Sequence, residues 1–152
     1  MNNFEIYYNI PDEMKSINRW VCLSMVEEGG KVIKKPVSAY SGKVASITDE
    51  ENWADFATAL KYYQEHQDRI NGIGFVFADT DDIVGIDFDD CLDNDGNLIN
   101  DAIQAIVSRT NSYIERSVSG RVTRICARQI AYYHRRKIEH GKFPTWFWHR
   151  II

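Results

Sequence analysis

After Glu115 this 152-residue sequence contains a single acidic residue, Glu139. Through Gly120 it carries 10 Lys+Arg against 21 Asp+Glu, a net −11; beyond Gly120 there are 8 against 1, a net +7. A folded domain seldom divides its charge so abruptly, so residues 1–120 and residues 121–152 are expected to be separate pieces. Cysteine is scarce as well. Cys22, Cys91 and Cys126 are odd in number, widely spaced and without a Cys-x-x-Cys pair, which excludes a zinc site and a disulfide framework and leaves reduced thiols. No run approaches the ~20 apolar residues of a transmembrane helix, and Met1-Asn2-Asn3-Phe4-Glu5 lacks the order of a signal peptide. The expectation is a cytoplasmic chain with no membrane partner. Internal repeats, low-complexity tracts and long Gly/Ser linkers are also missing.

What is present suffices for a core, since 44% of the residues are hydrophobic. The element order predicts an α/β (α+β) fold, a mixed or antiparallel sheet with helices packed on it. Residues 19–26 alternate as a strand, Glu28-Gly29-Gly30 supplies a turn, and residues 31–37 return as its hairpin partner. Thr48-Asp49-Glu50-Glu51 has the pattern of a capping box with Thr48 as the cap. Trp53, Phe56, Ala57, Leu60 and Tyr63 then recur at helical spacing, a core-facing stripe ending near His66, which itself reads as an exposed or capping histidine. Two strands are expected at residues 72–78 and 83–88, joined by the acidic turn Asp79-Thr80-Asp81-Asp82. Asp93-Asn94-Asp95-Gly96 forms a further turn, residues 99–107 a short helix, and residues 112–115 an extended segment.

The stretch Gly85-Ile86-Asp87-Phe88-Asp89-Asp90 carries the most chemistry. A strand alternates its side chains with period two, so Ile86 and Phe88 face a core while Asp87 and Asp89 share the other face. Two hard anionic oxygen donors so placed suit Mg²⁺ or Mn²⁺, which retain waters and accept substrate phosphates as further ligands. A plain acidic turn is the competing reading, because Asp90, Asp93 and Asp95 follow at once. A calcium loop is excluded: counted from Asp93-x-Asp95-Gly96, its first and twelfth positions would be Cys91 and Ala102, neither of which supplies the required side-chain oxygen. Lys34, on a strand edge, reads either as a point charge beside a phosphate or as a solvated guard against edge pairing. Ser117, Ser119 and Gly120 form a turn whose hydroxyls and amides could cradle a triphosphate, or an ordinary loop.

These pieces occur in a particular order: Arg19-Trp20-Val21, Gly30-Lys31-Val32-Ile33-Lys34-Lys35-Pro36, Ala45-Ser46 with Trp53, Gly72-Ile73-Gly74-Phe75-Val76-Phe77, Gly85 to Asp90, and Asn111-Ser112-Tyr113-Ile114-Glu115-Arg116-Ser117-Val118-Ser119-Gly120. Over residues 10–120 that order resembles the N-terminal primase-polymerase domain of phage and plasmid replication proteins, in the archaeo-eukaryotic primase superfamily. The resemblance implies template-directed nucleotidyl transfer, with Asp87 and Asp89 as catalytic metal ligands for Mg²⁺ or Mn²⁺. It also implies nucleoside triphosphates held by Lys34, Ser117, Ser119 and Gly120, a single-stranded DNA template, and a helicase domain in the intact protein.

The pattern departs after Gly120. Relatives continue with a second glycine and a basic residue on the next strand, and a third carboxylate on a later one. Here Val122 stands at the glycine position, Arg124 is off the pattern, and Glu139 is the only later acid. Shifting codons 121–131 by one nucleotide, with synonymous choices, permits Gly-Leu-Arg-Val-Phe-Ala-Arg-Gly-Lys-Leu-Pro, which is the continuation the resemblance leads one to expect. Residues 121–152 are therefore expected to be an out-of-frame basic, aromatic tail without a consistent buried face. The resemblance then implies a truncated domain with weak metal binding, inactive by itself. Two alternatives stay open: a small single-stranded nucleic-acid-binding module that uses Arg135, Arg136, Lys137, Trp146, Phe147 and Trp148, and a divalent-ion-binding structural domain.

Overall fold

Gly29 and Gly30 both have positive φ, 60° and 75°. Two consecutive left-handed residues make the two-residue turn whose twist matches a hairpin, and glycine adopts that conformation without steric cost. The turn sets the register Glu28↔Lys31 and, through it, the pairing of β1 (Trp20–Glu28) with β2 (Lys31–Val37). β1 is the centre of a three-stranded antiparallel sheet, order β2-β1-β3, with β3 spanning Gly72–Phe75. This computed structural model describes residues 4–78, 83–88, 91–110, 112–116 and 123–127. The fold is mixed α+β, and the chain divides into two compact units, with the division along the sequence between Ala78 and Asp79.

The first unit builds its core on β1. Trp20, Val21, Cys22 and Leu23 are all buried because one face of the sheet meets helix α3 (Phe56–Glu65) and the other meets Trp53 and Val76. The Trp20 ring sits edge-on to Phe56 and Phe75, with centroids 5.0 and 5.3 Å away, and its Nε1 donates to the Met14 carbonyl of the short helix α2 (Asp12–Lys15). Truncating so enclosed an aromatic side chain costs about 3–5 kcal/mol. Burial in the same layer pushes the Cys22 thiol up to about 12, and its Sγ donates to the Ala59 carbonyl, 3.5 Å away, so it is packing material and not a nucleophile. Ahead of these lies helix α1 (Glu5–Tyr8), whose Tyr7 hydroxyl oxygen lies 3.1 Å from where a Cβ on Gly72 would stand.

The helix does not begin at the Thr48 cap that the sequence suggests. Asp49 caps a single 3-10 turn, Glu50–Asn52, and Trp53-Ala54 then runs extended because Ala54 exchanges two backbone hydrogen bonds with Trp20. α3 starts one step later on Asp55, whose carboxylate accepts from the Thr58 amide and hydroxyl at 2.8 and 2.6 Å. Moving the start moves the buried face: Ala59 is fully enclosed and Ala57 is exposed, the reverse of the expected stripe at that turn.

The second unit holds β4 (Val84–Phe88), α4 (Asp101–Thr110), β5 (Tyr113–Arg116) and β6 (Thr123–Ala127). Its sheet is antiparallel in the order β4-β6-β5. Among the described residues, the strand latest in sequence is therefore the middle one. Within the stretch expected to have no consistent buried face, Thr-Arg-Ile-Cys-Ala of residues 123–127, with β-branched Thr123 and Ile125, pairs on both sides, to β4 and to β5. The expected boundary at residue 120 falls between these strands, and residues 128–152 lie outside the described part.

Candidate functional site

In β4 the period of two places Ile86 and Phe88 on one face and Gly85 and Asp87 on the other, and both Ile86 and Phe88 are half-buried. Pairing extends each face across the sheet. Ile86 stands opposite Ile125, and Ile125 opposite Ile114, an apolar row. On the other face Asp87 stands opposite Arg124, and Arg124 opposite Glu115, so acid, base and acid form one row across three strands. Directly opposed residues in such a ladder have Cα atoms about 4.5–5.5 Å apart. Behind this row lies a second, Gly85–Cys126–Tyr113, and the Tyr113 hydroxyl donates to Glu115 Oε2 at 3.0 Å.

The turn after β4 is tied down by its own groups. Cys91 is buried and its Sγ donates to the Phe88 carbonyl at 3.2 Å. Leu92 and Leu98 form a single bridge around Gly96, which has φ 82°. Asp93 closes the loop: its carboxylate accepts from the Asn97 amide at 2.7 Å and from Asn97 Nδ2 at 3.1 Å. Those two donors, the backbone amide first, hold the Asp93 carboxyl below the usual aspartate range. Asp93 is thus employed as a turn former, as the plain-turn reading of the acidic loop requires. Asn100 then caps α4, accepting from the amides of Ala102 and Ile103.

The remaining sequence-derived residues are distributed as follows. Lys34 belongs to the first unit, exposed on β2 and paired in register with Met25. Asp89, Ser117, Ser119 and Gly120 lie outside the described residues, as do the tail's Arg135, Arg136, Lys137, Trp146, Phe147 and Trp148. His66 is the C-cap of α3, its Nδ1 2.8 Å from the Tyr62 carbonyl and its ring stacked on that of Tyr62 at 4.0 Å. Among the described residues no group of three or more His, Cys, Asp or Glu is gathered for a metal ion, and no helix is long and apolar enough to cross a membrane.

No protein-family model matches the chain, and no curated protein matches it. Arg124, off the family pattern in the sequence, stands in register opposite Asp87. Its signal lay in the alternation of residues 123–127, with Arg124 and Cys126 on one face and Ile125 on the other, but its partner Asp87 is too distant in sequence for a local pattern to reveal.

Proposed function

We propose that this chain is a truncated primase-polymerase domain of a mobile-element replication protein, retaining part of a divalent-metal seat in Asp87 and Asp89 and inactive by itself. The observation that carries the reading is the separation of faces in β4, with Ile86 and Phe88 on one and Asp87 on the other. Carboxylate oxygens are hard donors, and their chemistry fits Mg²⁺ or Mn²⁺ better than a softer metal. An ion held there would neutralise a triphosphate and lower the pKa of an attacking hydroxyl. The chain's own part is positioning: β4 fixes Asp87 in the ladder, in register with Arg124 of β6.

Arg124 also distinguishes this row from a strong metal site. A basic residue in register with Asp87 disfavours a divalent ion, and among the described residues no group of three ligating side chains is gathered. Weak, open-shell binding is the expected result. Mn²⁺-induced water relaxation on the full chain tests it, with Asp87→Ala/Asp89→Ala as the variant. The signal should be lost in the variant. Unchanged relaxation would move the ion to Asp93 and Asp95 and remove the basis of the proposal.

A further inference from the structure

Residues 29–48 contain Lys31, Lys34, Lys35 and Lys43 and not one acid, while the other residues up to Gly120 hold six basic against twenty-one acidic. This basic island is continuous in the fold. Lys31, Lys34 and Lys35 lie along β2, an outer strand of its sheet, and Lys43 follows at the far end, where Val37 bridges Val44 and the Ser38 amide donates to the Lys43 carbonyl. Seven residues of β2 extend about 20 Å at ~3.3 Å per residue. Lys35 is engaged by Glu28; Lys31 and Lys43 meet no acid among the described residues. Apolar groups are exposed along the same stretch: Val32, Ile33, Tyr40 and Val44, with Tyr40 62% exposed.

The loop that presents Tyr40 is held in shape. Gly42 has φ 68°, and a Cβ there would meet the Tyr62 hydroxyl and lie 3.5 Å from Arg69 Nη2, so a further exposed cation sits against the loop. Arg69 donates to the Tyr62 hydroxyl at 2.5 Å, fixing both.

We infer that this edge, from Lys31 along β2 to Tyr40, Lys43 and Arg69, is a binding surface for single-stranded nucleic acid. Cations along both faces of this edge match a phosphate backbone, and an exposed aromatic ring on a hydrogen-bonded loop offers a stacking face for a base, a combination that binds single strands without needing sequence. An acidic protein surface would complement the charge but would have no use for the ring. The inference does not require the metal at Asp87.

The test is fluorescence anisotropy of a labelled twelve-residue oligothymidylate with the full chain, from 50 to 200 mM salt, with polyglutamate as competitor. Lys31→Glu/Lys43→Glu should weaken binding at least tenfold and flatten the log–log salt slope by about 1.4, since each single-strand phosphate contact contributes ~0.7. Tyr40→Ala should weaken it several-fold and Tyr40→Phe should restore it. The inference is overturned if the oligonucleotide does not bind, if polyglutamate displaces it charge for charge, or if Arg135→Glu/Arg136→Glu/Lys137→Glu abolishes binding while the β2 variants keep it. Loss of metal relaxation with oligonucleotide binding intact would count against the metal seat alone.

Discussion

Asp55 bears more structural responsibility than its half-buried position suggests. Its carboxylate closes the first turn of α3 through two oxygens, and the Thr58 hydroxyl, then the Thr58 amide, hold its pKa below the ordinary value. The ordinary aspartate value is about 3.9. A depressed folded-state pKa means that the contribution is fully present above that value and disappears as pH falls through the lower folded-state one. Asp55→Ala should cost about 1 kcal/mol at neutral pH, as N-cap losses do, and the gap between variant and parent should close in acid. Urea melts at pH 7 and at about pH 3 would show it; a gap independent of pH would mean that the cap acts by packing.

Among the elements, the row Asp87–Arg124–Glu115 makes a sharp forecast. A unit charge about 6 Å from a divalent ion in a water-like dielectric opposes it by roughly 1.4 kcal/mol, a factor of ten. Arg124→Ala should therefore tighten Mn²⁺ binding up to about tenfold at low salt, and isothermal titration would detect it; weaker binding would mean that Arg124 orders the carboxylates. How much of this was legible in the sequence depended on range. The Gly29-Gly30 turn and the alternation of Ile86, Asp87 and Phe88 are written locally, and both were readable. The start of α3 was not, because Trp20 captures Ala54 through backbone bonds from a strand thirty-four positions away. The carboxylate pair proposed to hold a metal could be read from local alternation, but the register of Asp87 with Arg124 required β6 to be known as the central strand.

For the whole molecule, the reversal of charge at Gly120 and the shifted string Gly-Leu-Arg-Val-Phe-Ala support a single lost or gained nucleotide near codon 121. The shifted string puts Phe where Ile125 stands, so the apolar row opposite Ile86 would survive in either frame. Repairing the frame should yield the start of a long replication protein in which metal affinity and template-dependent nucleotide incorporation appear together. Sequencing the genomic DNA decides the first half: no long open frame downstream in either shifted register would make the 152-residue chain a genuine small protein. A primer-extension assay on the repaired product decides the second.

The strand order β4-β6-β5 also has a consequence for synthesis on the ribosome. β4 is complete at Phe88, yet its partner begins only at Thr123, 35 positions later. At ~5–20 residues per second the nascent strand waits about 2–7 s with its hydrogen-bonding edges open. Residues 79–95 hold eight aspartates around that one apolar strand. Negative charges flanking an unpaired strand repel a neighbouring copy, so the carboxylates suit the guarding of β4 before β6 is made, and of its outer edge afterwards.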